Sequence, residues 1–286
     1  MDLSHVDIKN VLTRTTGFLK TVTSHSLQPY RGCSYGNSLC GVGCYVQHNH
    51  WVTRGRAWGG FLEVRRNTAA AYLDHVEAER RWARKNCDRF GLFMSSSTDP
   101  CVPQESKYGV SRSVLEAMVT SPPDLLILQT HSHRVTDYAD LLQALNELCD
   151  LCVHVSIETD IESFPGLPPH ASPVAKRFHA VEALRDAWLH TAVTVSPLLP
   201  IRDPESFFER IGCCVSAVLI DHYIEGVGSQ EGRRTLQTPL PDAIRSVNAE
   251  AVTLECRDQM VEVAERWMPG RVGVNIDGFA GRFRSS

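Results

Sequence analysis

The chain has 286 residues, 43% of them hydrophobic and 22% charged, and a formal net charge of −4. This is an ordinary globular composition; no apolar run approaches the roughly 18 residues of a membrane span, and Met1 to Lys20 has no apolar signal-peptide core, so a cytoplasmic protein without a membrane partner is expected. The charge is uneven, 13 Lys and Arg against 7 Asp and Glu in residues 1–89 and 16 against 26 in residues 90–286. A basic first third could steer an anion, but nothing resembles the strongly basic domain of a duplex-DNA binder.

Taken in chain order, the first chemical statement is Arg31-Gly32-Cys33-Ser34-Tyr35-Gly36-Asn37-Ser38-Leu39-Cys40-Gly41-Val42-Gly43-Cys44-Tyr45. Three thiols within twelve residues, on a glycine-loosened loop, can fold around one soft metal centre and leave a coordination position open. The spacing C-x6-C-x3-C also admits a Cys3His zinc site completed by His48. Trp51 and Trp58, just beyond, could cover such a centre or merely pack. Cys87, Cys213, Cys214 and Cys256 fall in helical or buried-looking segments and read as packing, and the pair Cys149-Asp150-Leu151-Cys152 has redox or zinc spacing but lacks a second pair.

A strand–helix rhythm follows. Residues 67–86 form a helix with Ala69, Leu73, Val76 and Ala83 on one stripe, 89–95 a buried strand, 111–120 a helix, 124–130 a strand, and 137–149 a helix. Residues 152–157 form a strand, followed by a helix striped by Ala175, Phe178, Val181, Leu184 and Trp188. Strands at 191–195, 218–221 and 271–276 alternate with a helix at 204–213 and a last helix striped by Val252, Cys256, Met260, Val263 and Trp267. Near-continuous apolar strands separated by helices predict an α/β fold with a parallel sheet covered by helices, open or curled into a barrel.

Polar residues cluster where these strands end: Ser95 to Asp99, Thr130 to His133, Ser156 to Asp160, Ser196-Pro197 and Asp221-His222-Tyr223. In parallel α/β architectures ligands bind at the carboxyl ends of the strands, so these clusters would line one mouth.

The segments Gln28-Pro29-Tyr30-Arg31-Gly32-Cys33, Ser95-Ser96-Ser97-Thr98-Asp99-Pro100 with Glu105, Gln129-Thr130-His131-Ser132, Val155-Ser156-Ile157-Glu158-Thr159 and Ser196-Pro197-Leu198-Leu199-Pro200 come in an order that resembles the spore photoproduct lyase-like branch of the radical S-adenosylmethionine enzymes. The resemblance covers roughly residues 27–225 and implies a partial (β/α)6 TIM-like barrel. It also implies a [4Fe–4S] cluster, S-adenosylmethionine on its unique iron, and a 5′-deoxyadenosyl radical that abstracts hydrogen from substrate. Expected divisions are an N-terminal extension at 1–26, the barrel at 27–235 with its cluster loop at 31–48, and a C-terminal helix and short strand at 236–286.

Carried over by position, the resemblance makes Cys33, Cys40 and Cys44 the cluster ligands, although the usual spacing in the superfamily is CxxxCxxC. It sets Tyr45 beside the adenine, Ser97, Thr98 and Asp99 at the methionyl amine, and Ser156 and Glu158 facing the cofactor. His131 falls near a basic position for the methionyl carboxylate, which a histidine could serve protonated or as a neutral donor. Near Ser96 the spore lyase has a hydrogen-donating cysteine that is missing here; Cys101 is the candidate catalytic substitute. The acidic second half favours a small metabolite or peptide as substrate over the nucleic-acid lesion that the resemblance suggests as the alternative, and the implied electron donor is a flavodoxin or ferredoxin.

Bland readings stand beside these. The Ser97–Asp99 cluster could cap a helix, Glu158 could pair with Arg134 at the surface, and His222 with Tyr223 could be a core pair or substrate contacts. A non-catalytic zinc or interaction protein is the competing class.

Overall fold

In the computed structural model, residues 1–226 and 230–283 are described; residues 227–229 of the expected barrel segment and the last three of the C-terminal segment lie outside the described residues. The strands are β1 (Asp2–Val6), β2 (Leu12–Arg14), β3 (His25–Leu27), β4 (Tyr30–Gly32), β5 (Phe61–Arg65), β6 (Gly91–Met94), β7 (Leu125–Thr130), β8 (Asp150–Ser156), β9 (Thr191–Val195), β10 (Ala217–Ile220) and β11 (Val272–Val274). One sheet runs β2-β3-β6-β7-β8-β9-β10-β11, parallel throughout except for β2, which is antiparallel at one edge. This is the expected parallel α/β half-barrel. A second, three-stranded sheet, β1-β5-β4, was not expected; its strands are short and flank the cysteine loop.

The apolar character of the parallel strands follows from burial on both faces. Leu126 and Leu128 of β7, Leu151, Val153 and Val155 of β8, and Val218 and Ile220 of β10 pack outward under the helices in the largest core cluster. The alternate residues Phe93, Ile127, Ala192 and Leu219 point into the barrel, joined by Phe279 and by Cys152. The Cys149–Cys152 pair is thereby split, Cys149 packing on the outer cluster and Cys152 on the inner one, and both thiols are free.

The helices fall where periodicity places them, with their faces adjusted. In Thr68–Asn86 the buried stripe is Ala71, Tyr72, Val76 and Ala83, while Leu73 is 43% exposed. Tyr72 decides the rotation, because its ring fills the core and its hydroxyl reaches the Ser121 carbonyl at 2.6 Å. The helix Val174–Asp186 buries Arg177 with Phe178, Val181 and Leu184, and it ends before Trp188, which is 89% exposed. Pro204–Gly212 starts with proline in its first turn and an Asp203 side chain accepting from Ser206 N at 3.1 Å.

Ladder pairing does not join β2 to β11. Side chains do meet across that seam: Phe18, on the turn Gly17–Thr21, lies edge-on to Phe279, ring centroids 5.6 Å apart. Phe279 in turn leans on Phe93 and His154. His154 is buried, and desolvation pushes its imidazole down to about 3, so it sits neutral in this ring cluster. Among the described residues no helix is long and apolar enough to cross a membrane.

Candidate active site

A cavity of about 320 Å³ opens at the carboxyl ends of the parallel strands. Cys33, Cys40 and Cys44 line it together with Tyr45, Ser97, Thr98, Asp99 and His131, so most of the expected site residues meet in one place. Phe18, Phe93 and Phe279 form an apolar floor, and Gln129, Ser196, Asp221 and Tyr223 complete the wall.

The cysteine loop is held in shape by its own insert. Cys33 leads into a 3-10 turn at Ser34–Asn37, and Cys40 lies in the short helix Leu39–Val42. Within the insert Tyr35 is buried and its hydroxyl donates to the Cys101 carbonyl at 2.9 Å; Asn37 Nδ2 donates to the Gly59 carbonyl at 3.1 Å. Leu39 N donates to the Pro169 carbonyl at 2.8 Å and pins the other side. The additional residues of C-x6-C are thus spent on anchoring the loop into the barrel. Backbone packs on backbone here: a Cβ on Gly41 would lie 2.2 Å from the Gly36 carbonyl oxygen. Gly41→Ala is therefore expected to displace the helix that carries Cys40 and to cut iron uptake at least severalfold, read as iron bound per chain after anaerobic reconstitution, with the fold checked by circular dichroism.

The donor set, three thiols lining one cavity, is chemically suited to an iron–sulfur cluster. Burial pushes the Cys33 thiol up to about 12 and the Cys44 thiol to about 11, and it raises Cys40 well above the usual range. Three thiols on one wall, Cys33 buried and Cys40 and Cys44 half-buried, are thus held protonated until a bound cation draws off their protons. Yet among the described residues no three His, Cys, Asp or Glu side chains converge tightly enough for a single metal ion. His48 is exposed and off the cavity wall, so the Cys3His zinc arrangement is not assembled. Trp58 lines the cavity, whereas Trp51 is 88% exposed and neither covers it nor packs.

The strand ends are tightly wired. Asp99 accepts from the Cys101 amide at 2.8 Å, the His131 amide at 2.7 Å and the Thr130 hydroxyl at 2.9 Å, which makes it a fixed feature of the wall. Gln28 braces the neighbouring loop, donating to Ser96 Oγ at 2.8 Å and accepting from Ser97 N at 3.3 Å. Tyr45 is anchored by its hydroxyl on the Ser96 carbonyl at 2.6 Å. The His131 ring stands between two carboxylates, Nδ1 3.8 Å from Asp99 and Nε2 3.2 Å from Glu158.

Other expected residues lie apart from the cavity. Ser156 is buried, sharing a hydrogen bond of 2.8 Å with Thr194. Glu158 stands behind His131 and pairs with Arg177 at 2.6 Å; Arg134 pairs instead with Asp137. Burial pushes the Glu158 carboxyl up, but the Arg177 guanidinium and then His131 outweigh it and hold the group at about 2. Arg177, which nothing in the sequence reading singled out, also donates to the Ser156 carbonyl and approaches His170 Nδ1 at 3.0 Å. Cys101 is off the cavity wall: Asp99 accepts from its amide, and the side chain is buried in the outer core cluster. Tyr30 and Glu105 hydrogen-bond to each other, and Glu105 accepts from Ser111 N and Arg112 N at the start of helix Val110–Thr120, which makes them structural. His222 and Tyr223 stack at 4.2 Å, with only Tyr223 on the wall.

Among solved structures, a mutant form of spore photoproduct lyase with AdoMet and dinucleoside spore photoproduct bound superposes over 95% of this chain and 81% of its own, with a TM-score of 0.60 at 14% identity. The fold is that of spore photoproduct lyase. A second mutant form of the lyase gives 0.59 at 12% identity, and the lyase complexed with dinucleoside spore photoproduct gives 0.57 at 15%, over the same shares of both chains. The half-barrel expected from the sequence resemblance is therefore the one observed. No protein-family model matches the chain, and no curated protein matches it in sequence.

Proposed function

We propose that the chain is a radical S-adenosylmethionine enzyme that starts hydrogen-atom abstraction on a small organic substrate, a metabolite or peptide. The observation that carries this reading is the convergence of Cys33, Cys40 and Cys44 with Tyr45 and the Ser97–Asp99 strand end on one cavity. Cys33, Cys40 and Cys44 would hold a [4Fe–4S] cluster, one iron being left without a protein ligand. When cluster and S-adenosylmethionine are bound, they supply one-electron cleavage of the sulfonium to a 5′-deoxyadenosyl radical.

The chain's own residues do the rest. The three thiols give up their protons on loading. Tyr45, fixed through its hydroxyl, offers a ring to a flat adenine, and Ser97 to Asp99 offer oxygens to an ammonium. Glu158 and Arg177 act through His131, whose orientation they fix. The floor of Phe18, Phe93 and Phe279 keeps water from the reacting centre. Gln129, Ser196 and Tyr223 remain for substrate, and the acidic balance of residues 90–286, 16 Lys and Arg against 26 Asp and Glu, favours a small one over a nucleic-acid backbone. A nucleic-acid lesion is the second reading, supported by the dinucleoside that the similarly folded lyase holds.

Electron paramagnetic resonance of the anaerobically reconstituted, dithionite-reduced protein tests this assignment. A [4Fe–4S]+ signal whose g values shift on adding S-adenosylmethionine is expected; an unshifted signal would mean that the cofactor does not reach the cluster.

A further inference from the structure

Inside the half-barrel, beneath the cavity, stands a polar side chain that the fold does not satisfy. His154 of β8 is 4% exposed, and its Nδ1 is buried with no hydrogen-bond partner among the described residues. A bare buried ring nitrogen costs free energy that folded proteins normally avoid, and an apolar side chain would fill the same place without that cost. The surroundings of the ring join it to the cavity. On β8, Cys152 points into the barrel while Leu151, Val153 and Val155 pack outward, so alternation turns His154 inward. The ladder pairs it with Gln129 of β7, which points inward like Ile127 two residues before it and lines the cavity. The imidazole also meets the ring of Phe279 at 5.9 Å and that of Phe93 at 6.3 Å, and both rings line the cavity. His154 thus lies one layer behind the floor, next to a carboxamide of the wall.

We propose that Gln129 and His154 together recognise an uncharged amide edge of the substrate, an N–H beside a C=O as in a lactam, while its apolar body lies on Phe18, Phe93 and Phe279. A group that enters between Gln129 and the Phe279 ring reaches the imidazole. Gln129 offers a carbonyl and an NH2, and a neutral imidazole one N–H and one bare nitrogen, so the pair can give a hydrogen bond and take one. Neither residue brings a charge, because desolvation keeps the imidazole neutral, and an ionic group placed there would be stranded among phenyl rings. The cysteines, Tyr45 and the Ser97–Asp99 strand end, which the proposed cofactors would occupy, leave both residues unused. The inference deepens the function proposed above and rests on it for the ligand's being the substrate.

Binding is read by saturation-transfer NMR on the reconstituted protein with S-adenosylmethionine and no reductant, so that no turnover is needed. The probes are 2-piperidone, a lactam, and N-methyl-2-piperidone, which lacks the N–H. The lactam should bind about tenfold more tightly than its N-methyl analogue, the worth of about one hydrogen bond. His154→Leu and Gln129→Leu should each reduce that preference to about twofold or less, and His154→Gln, which restores a donor and an acceptor, should recover it. The urea midpoint of His154→Leu should meanwhile be equal to or above that of the unsubstituted protein, because the unsatisfied nitrogens are gone. A lactam bound no better than its N-methyl analogue by the unsubstituted protein would overturn the inference, as would a preference that survives both leucine variants. A lowered urea midpoint in His154→Leu would overturn it too, since the ring would then serve the fold. Absence of 5′-deoxyadenosine when dithionite is added to the unsubstituted protein strikes the proposed function instead, and the binding comparison still decides the pocket.

Discussion

Alanine at Cys40 is expected to lower iron in the reconstituted protein from about four atoms per chain to below about one, and Cys33→Ala and Cys44→Ala to do the same. All three thiols line the same cavity, Cys33 buried and Cys40 and Cys44 half-buried, and the hydroxyl beside Cys40, Ser38 Oγ at 3.4 Å, is a far harder and poorer iron ligand than a thiolate. Cys40 is the most informative of the three, because it lies at the far end of the lengthened C-x6-C segment. Cys87→Ala and Cys213→Ala, at exposed thiols, are the controls and should keep full iron. Cys101→Ala should keep it too, since that thiol lies in the helix core. Iron by colorimetric assay and acid-labile sulfide decide the matter; retention of iron in any one of the three loop variants would remove that cysteine from the ligand set.

Arg177→Met should destabilise the protein by about 3–5 kcal/mol at pH 7, the cost of stranding one member of a buried ion pair. Glu158 and Arg177 are 4% and 1% exposed, so water cannot compensate. The same pair sets an acid limb. The Glu158 carboxyl is held at about 2, below its ordinary 4.5, so its contribution is fully present above pH 4.5 and is lost as pH falls toward 2. That contribution is about 3 kcal/mol at most, from 1.36 kcal/mol per unit. In Arg177→Met the limb should flatten, because the opposing charge that held the group down has gone. Urea unfolding at a series of pH values checks both parts, and an unchanged pH slope between about 4.5 and 2 would show that the pair does not govern it.

The residues that the fold gathers at the cavity carry local signals in the sequence. The cysteines, Tyr45 and the Ser97–Asp99 strand end announce themselves because each strand end is a short apolar run followed by polar residues, and the fold brings them to one cavity. Arg177 was hidden because an arginine on a helix reads as solvated; only its distance from Glu158 in space reveals a buried partner. Arg177 also takes the place that the alternative reading gave to Arg134 as the partner of Glu158. The sheet β1-β5-β4 escaped notice because it joins residues 2–6 to 61–65 through strands of three to five residues, too short for a period to register. Phe18 and Phe279 meet across the seam from positions 261 residues apart, a contact no local pattern encodes. Trp51 was read as cover or packing from its place beside the cysteine loop, and the fold instead leaves it exposed.

The central claim is that this chain uses its cysteine-lined cavity to generate a radical from S-adenosylmethionine. Liquid chromatography of an anaerobic mixture of reconstituted protein, dithionite and S-adenosylmethionine tests it most directly. 5′-Deoxyadenosine that accumulates with time and is abolished by Cys40→Ala is expected. Protein loaded with about four irons per chain that forms none, or product formation that persists in the Cys33, Cys40 and Cys44 variants, would contradict it.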